Sequence, residues 1–151
     1  MSEQIITADL VDLDLSAPDR ADATRQLALR LAKDGRVTDL DGFLADVRAR
    51  EEQMPTGLEG GIGIPHARSA HVTRPSLAFG RSTAGVDFGA ADGPARLVFL
   101  IAAPEGGGSD HMTILAGLAR RLVHRSFRDA LAAAPDPQSV VDIIEKEVFA
   151  Q

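Results

Sequence analysis

The sequence contains no cysteine, no tryptophan and no tyrosine. Without cysteine there is no disulfide framework, no thiolate metal site and no cysteine nucleophile. Phenylalanine is the sole aromatic type, at six residues, so the stacking platforms that hold single-stranded nucleic acids are missing. Basic charge is also scarce: 16 Lys and Arg stand against 22 Asp and Glu, a formal charge of −6. That balance argues against binding nucleic acid through its phosphates. No apolar run approaches the roughly 20 residues that span a bilayer. The start, Met1-Ser2-Glu3-Gln4, has neither the basic cluster nor the apolar stretch of a secretory signal. These absences predict a cytoplasmic protein.

What is present is the composition of one ordinary domain. The 151 residues are 44% hydrophobic and 25% charged, enough to bury a full core. Residues 1–9 read as a flexible N-terminus and residues 10–151 as a single domain without repeats or linkers. Apolar and acidic residues alternate over 10–15, the period of a half-buried strand. Ser16 and Pro18 open a helix that runs to about Lys33 and is closed by Gly35. A second helix spans about 39–52, and Met54-Pro55-Thr56-Gly57 ends it. Strands are predicted at 60–64, 77–82 and 96–103, with a short strand or turn at 85–89. The stretch Leu97-Val98-Phe99-Leu100-Ile101 is apolar without alternation, which predicts a central strand covered on both faces. A glycine-rich loop at 104–108 leads into a helix over 110–124, and two short helices follow near 126–133 and 137–149. Helices precede, separate and follow the strands, so the fold class is a layered α/β domain.

The segment Gly61-Ile62-Gly63-Ile64-Pro65-His66 carries the clearest chemistry. Pro65 fixes its own backbone and pushes Ile64 toward extended geometry, so a short strand should end there and present His66. A rigidly held imidazole suits nucleophilic or acid–base work near neutral pH; it equally suits a backbone hydrogen bond. His111 follows the glycine-rich loop at a helix start, where unpaired amides attract anions. Asp110 or Ser109 could instead simply cap that helix. Arg50 lies shortly before the turn that feeds the His66 strand and could offer a planar fork to a phosphoryl group. Its neighbours Glu51 and Glu52 read as a solvated face. Thr56 could add a hydroxyl, or could satisfy only backbone. His66 and His71 do not form a His-Glu-x-x-His pattern, so only convergence in space would build a metal site. The triple glycine lacks the Gly-Lys-Ser/Thr ending of a nucleotide loop.

In combination, Arg50-Glu51-Glu52, Pro55-Thr56-Gly57, Gly61-Ile62-Gly63-Ile64-Pro65-His66, and Ala102-Ala103-Pro104 leading to Asp110-His111 resemble the enzyme IIA domain of the fructose/mannitol class of the bacterial sugar phosphotransferase system. The resemblance runs from about residue 10 to residue 148. It implies a mixed, roughly five-stranded sheet flanked by helices. It implies that His66 accepts a phosphoryl group from the phosphocarrier protein HPr and passes it to a IIB domain. His111 would orient His66 or its phosphoryl group, and Arg50 would stand beside the pair. No cofactor is implied. Gly61, Gly63 and the 104–108 loop are expected near the docking face. Gly63 stands where the family pattern often has alanine, and the loop before His111 is unusually rich in glycine; both bear on rigidity and rate. Two functions fit such a chain: a component of sugar transport, of fructose type, or a regulator like the nitrogen-related IIA proteins, whose phosphorylation state controls partner proteins. A binding module that keeps only the fold is a third reading. The retention of both histidines and Arg50 weighs against it.

Overall fold

The unalternating run at 97–101 does form the middle of the sheet. It lies in β6 (Ala95–Pro104), where every residue from Leu97 to Ala103 is buried. The structure, a computed structural model, describes residues 5–106 and 110–149, and their side chains except those of 110–112 and 149. Chain order is β1 (Val11–Asp12), α1 (Arg20–Lys33), α2 (Leu40–Gln53), β2 (Gly57–Leu58), β3 (Ile62–Gly63), β4 (His66–Ser69), β5 (Ser76–Val86) and β6. Then follow α3 (Asp110–Leu122), α4 (Arg125–Ala133) and α5 (Pro137–Ile144), which is extended by a π-helical turn over Glu145–Phe149.

The sheet is mixed, in the order β1-β5-β6-β3-β2, and β4 also pairs with β6. β5 runs antiparallel to β6, whereas β3 and β4 run parallel to it. Six strands therefore stand where roughly five were expected, because one neighbour of β6 is interrupted. Ile62 lies opposite Leu97 and His66 opposite Ile101, so β3 and β4 keep one register. The break falls at Ile64-Pro65. Pro65 has no N–H to give the ladder, and the Ile64 N–H donates instead to the Thr56 carbonyl at 3.2 Å. His66 thus opens a strand, where the sequence suggested that it follows one.

Alternation along β5 sorts the helices onto two faces. Gly80 faces α1, close against Leu27, while Arg81 on the other face reaches the end of α4. Capping sets the first two helices. Asp19 accepts the Asp22 N–H at 2.8 Å, so α1 begins later than the Ser16–Pro18 signal suggested. Asp39 caps α2 through the Gly42 N–H at 3.1 Å. The strand expected over 10–15 shrinks to two residues, because the Asp12 carboxylate accepts the Asp14 N–H and turns the chain. Residues 5–9, placed in a flexible terminus from sequence, pack against the domain. Ile6 is fully buried, and the Ile5 carbonyl accepts the Leu77 N–H at 2.9 Å. Buried apolar side chains then repay the ordering of this segment.

Candidate functional site

Three short pieces of backbone build the site. β2 and β3 form a hairpin, with Gly57 opposite Gly63 and Leu58 opposite Ile62. Its turn requires positive φ at Gly60 and Gly61, +95° and +78°, a region that glycine alone enters freely. Beyond Pro65, β4 carries His66 along β6. Its far end is tied to α2, where the buried Ser69 hydroxyl donates to Asp46 at 2.6 Å. His66 is 9% exposed, and its ring folds back on the segment that enters its strand. Its Nδ1 lies 2.8 Å from the Ile64 carbonyl oxygen. A carbonyl only accepts, so Nδ1 carries the proton and the Nε2 lone pair stays available.

Burial lowers the His66 pKa from its ordinary 6.5, and this is the largest effect. The Ile64 hydrogen bond acts against it, the Arg50 charge lowers the pKa further, and the Glu51 charge raises it. The balance keeps the ring neutral near pH 7. Arg50 is in the last turn of α2, half-exposed, and donates to the Met54 carbonyl at 3.3 Å. It is therefore near enough to act on His66 by charge while keeping most of its donors.

Glu51 was read from sequence as part of a solvated face. Instead it is nearly buried. Its carboxylate accepts the Thr56 N–H at 2.8 Å, the Thr56 hydroxyl at 2.7 Å and an Arg20 N–H at 3.0 Å. Thr56 is buried too, and it gives its hydroxyl proton to this carboxylate. The sequence held one clue. A carboxylate in the last turn of a helix opposes the helix dipole, so Glu51 needed another use.

Arg20 joins separate segments. Besides Glu51 it approaches Asp87 at 3.8 Å, and its guanidinium stands 5.9 Å from the centre of the Phe88 ring. Phe88 in turn covers Gly63: a Cβ on that glycine would lie 2.7 Å from the ring. Gly63 is therefore buried, and the space beside it is filled by its own chain. Arg20, Glu51, Pro65 and Phe88 also line a groove of about 460 Å³ between α1 and α2.

The backbone of His111 lies in the first turn of α3, but its side chain is outside the described residues, as are residues 107–109 of the preceding loop. Ser69 pairs with Pro104, and Arg68 donates to the Glu105 carbonyl at 2.9 Å. Hence the chain leading to α3 leaves β6 at the end where β4 carries His66. His71 is apart from this site, on Asp39 at 3.9 Å. Among the described residues no group of three or more His, Asp or Glu is placed to hold a metal ion, and no helix is long and apolar enough to cross a membrane.

Comparison with known proteins gives this geometry its context. Residues 4–147 match the family described as phosphoenolpyruvate-dependent sugar phosphotransferase system, EIIA 2. The chain is 39% identical over 145 residues to the fructose-specific EIIA component of Haloferax volcanii, covering 92% of this chain and 94% of that one. Among solved structures, the nitrogen regulatory protein IIA-Ntr of Neisseria meningitidis superposes with a TM-score of 0.85 at 28% identity, over 93% of this chain and 96% of that one. The Escherichia coli mannitol enzyme IIA, solved in complex with phosphorylated enzyme IIB, gives 0.79 at 25% identity, over 93% and 97% of the two chains. The fold, the interrupted strand that presents His66 and the family match lead to one conclusion: this chain belongs to the EIIA type 2 family of the phosphoenolpyruvate-dependent sugar phosphotransferase system.

Proposed function

We propose that the chain is a phosphocarrier that accepts a phosphoryl group on Nε2 of His66 from phosphorylated HPr and passes it to a IIB domain. The contact between His66 Nδ1 and the Ile64 carbonyl carries this reading. It keeps the proton on one ring nitrogen and directs the other as nucleophile. In the step, the Nε2 lone pair forms a bond to phosphorus while the N–P bond of the donor phosphohistidine breaks. The electron pair of that bond returns to the donor ring, whose other nitrogen carries a proton so that it leaves as neutral imidazole; His66 keeps Nδ1–H and its ring takes up the positive charge. The transition state is loose and anionic, so alignment and positive charge are what the protein contributes. Arg50 supplies the charge, and His111, from the first turn of α3, supplies a hydrogen-bond donor. Thr56 acts through backbone and Glu51, not on the phosphoryl group. In transfer to IIB the acceptor atom of that domain forms the new bond to phosphorus while the Nε2–P bond breaks, and its electron pair returns to the His66 ring.

The kinship with a fructose-specific EIIA component favours a fructose-type transport system, with the protein acting in the cytoplasm and reaching the membrane only through its IIB and IIC partners. The fit to a nitrogen regulatory IIA protein favours a second reading, in which the phosphorylation state of His66 controls partner proteins. Intact mass after incubation with phosphoenolpyruvate, enzyme I and HPr tests the shared chemistry. One acid-labile phosphoryl adduct is expected on the wild type and none on His66→Ala. An adduct of equal yield on His66→Ala would refute the assignment. Onward transfer to a fructose IIB domain then separates transport from regulation.

A further inference from the structure

The turn between α2 and β2 is held by charge buried beside the site. Arg20 from α1 pairs with the Glu51 carboxylate at 3.0 Å, with Arg20 about one-third exposed and Glu51 only 10%. Both Glu51 oxygens are used: one takes the Thr56 hydroxyl, and the other takes the Thr56 N–H and Arg20. Thr56 spends its own carbonyl on the Ile64 N–H, and the Ile64 carbonyl receives His66 Nδ1–H. An unbroken path of hydrogen bonds therefore runs from Arg20 to the imidazole.

Nothing in the fold alone calls for an ionised group at Glu51. A buried ion pair stabilises little compared with an apolar replacement, because desolvation consumes most of the attraction. Fixing Thr56 for strand pairing would need only a neutral acceptor. A full negative charge does something more. It opposes the Arg50 charge at His66, so adjacent residues of one helix end act on the ring with opposite sign. Arg20 in turn pairs with Glu51 and holds its carboxylate against Thr56, while the Arg20 guanidinium also approaches Asp87 and the Phe88 ring.

We propose that Arg20 and Glu51 are a positioning pair for phosphoryl acceptance: through Thr56 and Ile64 they fix the orientation and tautomer of His66, and neither touches the phosphoryl group. The proposal rests on His66 as the acceptor. It differs from the roles proposed for Arg50 and His111, which act on the transferred group.

Two variants test it. Glu51→Gln keeps a neutral acceptor for Thr56 but loses the charge, and Arg20→Met keeps Glu51 but removes its cation. Imidazole ¹⁵N shifts of His66 in the unphosphorylated protein read tautomer and titration directly. The wild type should show the Nδ1–H form alone. Both variants should show mixed tautomers, and Glu51→Gln should titrate at lower pH, since a charge that raises the pKa is gone. Their rate of phosphoryl acceptance from phosphorylated HPr should fall by about tenfold to a hundredfold, the scale set by misplacing a reacting group, with KM little changed. Arg20→Lys should recover most of the rate. Unchanged His66 shifts in folded Arg20→Met would overturn the proposal even if Glu51→Gln failed to fold. Altered shifts with a wild-type rate would overturn it equally. Because the shifts need no phosphoryl donor, failure of the wild type to accept phosphoryl would count against the proposed function, and unchanged shifts against the positioning pair.

Discussion

His66 Nδ1 and the Ile64 carbonyl oxygen meet at 2.8 Å, so the imidazole is fixed by the residue just before the proline that interrupts its strand. Both ends of this contact depend on Pro65. Pro65 has no N–H to give β6, though its carbonyl still accepts the Ile101 N–H, and the preceding Ile64 gives its N–H to Thr56 on the β2 side while its carbonyl serves His66. Sequence, local geometry and chemistry are linked here by a single bond. Replacing Pro65 with alanine should loosen the ring and slow phosphoryl acceptance, while the fold stays cooperative on thermal melting.

The depressed pKa of His66 has a defined pH window. Burial is its main cause, and the folded value lies below the ordinary 6.5. Phosphoryl acceptance should stay level as pH falls through about 6.5 and decline only in more acidic solution. The stability consequence has the same sign. Above the unfolded value both states hold a neutral ring, and stability is undiminished. Between the unfolded and folded values the unfolded chain takes the proton first, so stability falls as pH falls. An NMR titration of the ring, with denaturation of wild type and His66→Gln across that window, checks both: the variant should lack this part of the pH dependence.

Arg50→Ala should slow phosphoryl transfer by about tenfold or more through lost charge stabilisation. The melting temperature should hold, because the side chain is half-exposed and makes one long hydrogen bond to a carbonyl. His111→Ala should give the same pattern. Single-turnover kinetics beside thermal melts make the comparison, and a large loss of stability in Arg50→Ala would mark that residue as structural.

Gly63 and Phe88 form a complementary pair, since an added Cβ would press on the ring at 2.7 Å. Gly63→Ala should destabilise the protein by about 1–3 kcal/mol, the cost of overpacking a filled site. In a domain of this size that is a fall of several degrees in Tm. Phe88→Leu, introduced with it, should return part of the loss. A Gly63→Ala protein that melts like wild type would show that the ring moves aside freely.

Arg81 offers a control remote from the chemistry. Its guanidinium donates to the carbonyls of Leu131, Ala132 and Ala134 at the end of α4, satisfying groups that a helix end leaves open. Arg81→Met should cost about 1–3 kcal/mol through those carbonyls and leave the rate of phosphoryl acceptance unchanged. Chemical denaturation and the transfer assay together check it.

Much of this arrangement was legible in the residues. Helical periodicity placed α1 and α2, the unalternating run at 97–101 gave the central strand, and the Pro65-His66 pair pointed to the candidate site. What escaped was long-range. The turn at Pro55-Thr56-Gly57 was visible, but not that it delivers both Thr56 donors to Glu51, because a carboxylate beside Arg50 and Glu52 looks like a solvated helix end. Nor did Gly63 announce Phe88, which lies on a distant loop and closes over it only in the fold. The alternation at 10–15 suggested a longer strand than the chain forms, since local turning by Asp12 overrides a period-2 pattern. Ile6 has no periodic context at all, and only the packed core reveals where it goes.

The most direct test of the account is the site of phosphorylation itself, read by ¹⁵N and ³¹P NMR on protein labelled at histidine and phosphorylated through HPr. The account predicts a single phosphohistidine, at Nε2 of His66, with Nδ1–H still present and held by Ile64. A phosphoryl group on Nδ1, or on another histidine, would contradict it.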